Sequence, residues 1–129
     1  MNKEDDYREW LNKAENDLIV ANASATLHKP QVEIACYHCQ QCVEKALKSF
    51  LVYHKIEFDY IHDLEKICNN CEKIDPSFSI WRKQCRFINQ YISITRYPSN
   101  VDVKETDMTL ALKYSDDILE FVRGKTTRL

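Results

Sequence analysis

Apolar residues recur at intervals of three and four along most of this chain, and each run of that rhythm predicts a helix. Tyr7, Leu11, Ala14, Leu18, Ala21 and Ala25 mark one face of a first helix from about Glu4 to Leu27. Acidic residues crowd its first turn, where the helix dipole is positive, and His28-Lys29-Pro30 closes it. A second helix is expected from Pro30 to about Lys55. Its inward stripe is Val32, Cys36, Cys39, Val43, Ala46, Leu47 and Phe50, and its opposite face carries Tyr37, His38, Gln41, Glu44, Lys45 and Lys48. A shorter third helix runs from about Asp63, a good N-cap, to Lys73, with Leu64, Ile67, Cys68 and Cys71 inward. The fourth is expected to start near Pro76 and end before Pro98, with a broad apolar face of Trp81, Cys85, Ile88, Tyr91, Ile92 and Ile94. The fifth spans about Val103 to Arg123, buries Met108, Ala111, Tyr114, Ile118 and Val122, and stops at Gly124.

Composition removes the alternatives to a helical fold. Glycine occurs once in 129 residues, where average usage would give about nine at roughly 7%, and a β-protein of this size needs turn glycines. The prolines at 30, 76 and 98 fall between the periodic runs and punctuate helices. The chain is therefore read as one all-α domain over residues 1–129, an antiparallel up-down bundle of four long helices plus one short helix.

The first residues lack a basic head followed by an apolar run, which predicts no leader peptide, and no stretch approaches the ~20 apolar residues of a membrane span. A cytoplasmic protein without a membrane partner is expected. Six cysteines then stay reduced. Cys36-x2-Cys39-x2-Cys42 and Cys68-x2-Cys71 have the spacing of metal ligands, but zinc ribbons place such pairs on glycine-containing turns. Here the spacing falls on helix core stripes, so the thiols are expected to pack as small hydrophobes, with a metal site between the second and third helices as the alternative. No metal and no cofactor are expected.

A net charge of −2 hides an uneven distribution. Residues 77–101 contain no Asp or Glu but hold Arg82, Lys83, Arg86 and Arg96. At 100° per residue, Arg82, Arg86, Asn89, Ser93 and Arg96 share one side of the fourth helix, along about 21 Å from Arg82 to Arg96. Such a stripe suits a local anion site rather than nucleic-acid binding over the whole surface. Arg96-Tyr97-Pro98 is its best end, with Arg96 for a phosphate and Tyr97 for a base. The alternative is that Arg96 pairs with an acid and Tyr97 packs under the following turn. His62 either packs beside the Asp63 cap or reaches a ligand across from the fourth helix. His38, Gln41, Lys45 and Lys48 are read either as a solvated face or as a partner or ligand face of the second helix.

The run Ala35-Cys36-Tyr37-His38-Cys39-Gln40-Gln41-Cys42-Val43-Glu44-Lys45-Ala46-Leu47-Lys48, followed by His62-Asp63-Leu64 and Arg96-Tyr97-Pro98, resembles the HEPN family of small bacterial helical domains. Trp10, Ala14, Asp17-Leu18 and Ala21 fit its opening helix, so the resemblance covers roughly Asp5 to Val122. It implies a bundle of four or five helices that commonly pairs as a dimer, and a separately encoded minimal nucleotidyltransferase as partner. Many relatives are ribonucleases with an Arg followed four to six residues later by His. The histidines here are at 28, 38, 54 and 62, and none follows an Arg at that distance. The leading expectation is a non-catalytic, homodimeric module that binds a nucleotide, RNA or another anion. A ribonuclease with a rearranged site, such as the toxin of a toxin–antitoxin pair, is the alternative, and a scaffold without ligand is the third.

Overall fold

The computed structural model describes residues 2–58, 60–94, 98 and 102–127. Among them the fold is helical throughout: α1 (Tyr7–Ala25), α2 (Val32–Tyr53), α3 (Leu64–Ile74), α4 (Arg82–Asn89) and α5 (Glu105–Lys125). Short 3-10 turns cover Lys3–Asp5 and Pro76–Trp81. The expected all-α bundle is what forms.

α2 is the hub, because α1, α3, α4 and α5 all pack on it. Its inward positions Cys36, Cys39, Val43, Ala46, Leu47 and Phe50 are essentially inaccessible, as the sequence rhythm predicts. α1 lies antiparallel to it: Tyr7 meets Tyr53, and Asp17 meets both Lys45 and His38. α3 and α4 form a second antiparallel pair, with Arg82 on Glu72 and Asn89 at Leu64. α5 returns antiparallel to α4, from Tyr114 beside Phe87 to Phe121 beside Trp81. Between α2 and α3 the connection runs back along α2, so that His62 touches Gln40 and Glu44 while Cys71 touches Leu47. Two apolar clusters result. One gathers Leu47, Phe50, Phe78, Ile88 and Ile118, and the other Ala35, Cys36, Tyr91, Ile94 and Met108.

Two local expectations need correction. The fourth segment is not one long helix. Asp75 caps the 3-10 turn at Pro76 through Ser77 N, the α-helical part covers only the eight residues from Arg82, and residues 91 and 94 then bond back three positions, to Ile88 O and Tyr91 O. Ile88, Tyr91 and Ile94 are spaced by three, which suits that tighter turn, and all three are buried. The basic stripe therefore does not continue along one helix. Gly124 does not end α5 either: it lies inside the helix without positive φ. Buried Thr126 closes it, its hydroxyl donating to Val122 O. Lys55 takes the left-handed conformation after α2, at φ 57°, normally a glycine's place.

No described helix is long and apolar enough to cross a membrane.

Candidate functional site

The polar residues of α2 do not form a solvated face. Two carboxylates organise them along the seam with α1. Asp17 of α1, 9% exposed, has His38 Nδ1 at 2.9 Å on one oxygen and accepts from Lys45 Nζ at 2.5 Å on the other. His38 and Lys45 lie seven residues apart, two turns of α2, so they present the same side of the helix. Next to Lys45 in the chain, Glu44 accepts from Lys48 Nζ at 2.9 Å, and His62 Nδ1 lies 3.0 Å from the same oxygen. Gln40 completes this second group by donating to Glu44 Oε1 at 3.3 Å and to the His62 carbonyl at 3.2 Å. Gln41 donates to Gln40 Oε1.

Burial decides the role of each. The Lys48 and Glu44 side chains are 5% and 6% exposed, so Lys48 cannot belong to a partner-facing surface. Its ammonium sits 6.0 Å from the Trp10 ring centre and 5.4 Å from that of Phe58, a cation on two aromatic faces. The expectation for Lys48 is corrected accordingly: the packing of Trp10 and Phe58 over α2 encloses it. His38 and Lys45, each 27% exposed, sit at the edge of the seam. His62 is 59% exposed, oriented by Glu44 and with no partner at Nε2 among the described residues.

On α4, the two described arginines of the stripe meet acids of α3. Arg82 makes a two-pronged contact with Glu72, and Arg86 Nε reaches Glu65 at 3.3 Å. Asn89 turns to α3 as well, accepting from Leu64 N at 2.9 Å and donating to Asp63 Oδ1 at 3.2 Å. Three members of the expected anion stripe thus fasten α4 to α3. Arg96 and Tyr97 lie outside the described residues.

All six cysteines are free and buried. Burial pushes the Cys36 thiol up to about 12 and Cys39 to about 11, and raises Cys42 and Cys71 further. Cys68 moves the other way, held down by the neighbouring Cys85 thiol, which is itself raised. Among the described residues no three His, Cys, Asp or Glu side chains converge as a metal site.

The HEPN domain family model matches residues 7–125. The chain belongs to the HEPN domain family. The fold of this HEPN domain is similar to that of an archaeal HEPN homologue, with a TM-score of 0.76 and 25% identity over 95% of this chain and 98% of the other. It is also similar to the TT1696 protein of Thermus thermophilus, with a TM-score of 0.77 and 23% identity over 92% of this chain and 97% of the other. Comparison with curated proteins gives no match.

Sequence reasoning missed Asp17, Glu44 and Gln40 as organisers of the HEPN seam. Asp17 is the one acid among the inward positions of α1, between Ala14 and Leu18, and that placement is the signal that marks it.

Proposed function

We propose that this HEPN chain is a non-catalytic, dimeric binding module of the cytoplasm. It offers a nucleotide- or anion-binding surface and docks to a separately encoded partner such as a minimal nucleotidyltransferase. The observation that carries this reading is the way His38, His62, Arg82 and Arg86 are paired. His38 and His62 each share a carboxylate with a lysine, while Arg82 and Arg86 sit on separate acids of α3. Cleavage of a phosphodiester needs an acid or base and a charge-stabilising cation at one phosphate. Self-association is supported by apolar side chains left in solvent, Ile19 at 59% and Leu27 at 54% exposure among them.

Purified protein titrated calorimetrically with mononucleotides tests the binding module, with Arg96→Ala as the variant for the end of the stripe. Light scattering tests the dimer, and co-purification with the nucleotidyltransferase of a neighbouring gene tests the partner. The ribonuclease reading has one observation in its favour, His62 oriented by Glu44 with its outer nitrogen unpartnered among the described residues. RNA cleavage that disappears in both His62→Ala and Arg96→Ala would replace the binding module with that enzyme.

A further inference from the structure

A cavity of about 280 Å³ opens where the start of the chain crosses α1 and α2, lined by Lys3, Glu4, Glu9, Trp10, Lys13 and Lys45. We propose that it holds a nucleoside monophosphate, with the base against Trp10 and the phosphate at Lys13 and Lys3. The inference rests on the nucleotide-binding reading above and moves its site from the basic stripe of α4 to the α1–α2 seam.

Three features make the place a built one. The indole is fixed before any ligand arrives: its Nε1 donates to Glu4 O at 2.9 Å, and the Phe58 ring meets it edge-on at 5.7 Å. A fixed aromatic ring offers stacking area with little ordering to be lost on binding. The lining charges come next. Lys3, Lys13, Glu4 and Glu9 form no ion pair among the described residues, whereas Lys45 is held by Asp17. Arg82 and Arg86 on the α3–α4 side each face a carboxylate, but here two uncommitted ammonium groups border an aromatic wall. Size is the third feature. About 280 Å³ lies just below the ~300–1,000 Å³ typical of small-molecule sites, room for a base and its sugar.

The sign of the charges refines the ligand. Two free lysines attract a phosphate, but Glu4 and Glu9 beside them repel a long anionic chain. A single phosphate satisfies the lysines without lying along the glutamates. The carboxylates in turn accept from an exocyclic amino group, which favours an adenine, guanine or cytosine base over one without that donor. ATP is expected to bind no better than AMP, the reverse of a site built only from arginines.

The experiment reads Trp10 fluorescence in a Trp81→Phe background, with AMP, UMP and ATP as probes, alongside calorimetry on the unmodified chain. Saturable quenching by AMP is expected, weaker by UMP, with ATP no tighter than AMP. Lys13→Ala, an exposed change, is expected to weaken AMP at least tenfold, and Lys83→Ala on α4 to leave it unaltered. Trp10→Phe, checked for folding by its thermal melt, is expected to weaken it as well. AMP binding that survives both Lys13→Ala and Trp10→Phe undiminished overturns this site while leaving a nucleotide-binding module in place elsewhere. ATP binding tenfold tighter than AMP overturns the monophosphate assignment. If no nucleotide binds the unmodified chain, both this site and the nucleotide-binding reading fall.

Discussion

Lys48 Nζ lies 2.9 Å from Glu44 Oε2, one turn earlier on the same helix, and both side chains are sealed from solvent. An i,i+4 pair of this type on a helix surface contributes only about 0.3–0.5 kcal/mol. Enclosure changes its weight, because removing either partner leaves the other charged and buried. Lys48→Met is expected to cost about 3–5 kcal/mol in urea unfolding. The double change Glu44→Gln with Lys48→Met is expected to recover a large part of that loss. A double variant as unstable as the single one would show that Lys48 matters through its contact with Trp10 and Phe58 instead.

Asn89, from α4, caps Leu64 N of α3, the amide that the N-cap Asp63 leaves to it. Asn89→Ala is expected to destabilise the protein by about 1–2 kcal/mol. Its signature is local: amide exchange should accelerate in the first turn of α3 more than in α1. Uniform acceleration across all helices would contradict that assignment.

Acid should weaken the junction between α5 and the 3-10 turn. Lys125 Nζ sits 2.8 Å from Asp75, whose other oxygen accepts from Ser77 N and Ser77 Oγ. Lys125, then Ser77, hold the Asp75 carboxyl down to about 2, against an ordinary 3.8. A folded-state value below the unfolded one means stability that is present above about pH 3.8 and lost as pH falls toward 2. For a pair this near the surface the contribution is about 1 kcal/mol or less. The urea midpoint of Asp75→Asn should lie below that of the unmodified chain at pH 7 and converge with it near pH 2.

The Cys36 and Cys39 thiols of α2 should be silent in the folded protein. Burial raises Cys36 to about 12 and Cys39 to about 11, so neither is appreciably ionised at pH 8, and the thiolate is the reactive form. Iodoacetamide at pH 8 is expected to label these two cysteines only after denaturation. Rapid labelling of either without unfolding would mean that α2 is not packed as described.

The parts of the fold that were legible in the sequence are those governed by one periodicity. Cys36, Cys39, Val43 and Phe50 recur at helical spacing, and nothing competes with that pattern, so their burial follows directly. Asp63 as the cap of α3 follows as easily, since its carboxylate bonds the amides of Glu65 and Lys66 within the same turn. Residues 76–94 were harder because their apolar positions fit both a regular helix and a tighter turn. The choice is made by contacts with Ala35, Cys36 and Met108, far away in sequence. Glu44 and Lys48 carry the spacing of an ordinary surface pair, and only the packing of Trp10 and Phe58 over them encloses the charges. The partners of Arg82 and Arg86 were hidden in the sequence for the same reason. Arg82 and Arg86 stand on a face free of local acids, but Glu72 and Glu65 arrive from the neighbouring helix.

Asp17 grips two side chains spaced two turns apart on α2, about 10 Å along its axis at 1.5 Å per residue. A carboxylate held from both sides acts as a ratchet pin. Sliding α1 by one turn, about 5.4 Å, would break both contacts and strand a buried acid among apolar neighbours. The α1–α2 hairpin is thereby pinned in a single register, from its Tyr7–Tyr53 end to the end near Ala25 and Val32.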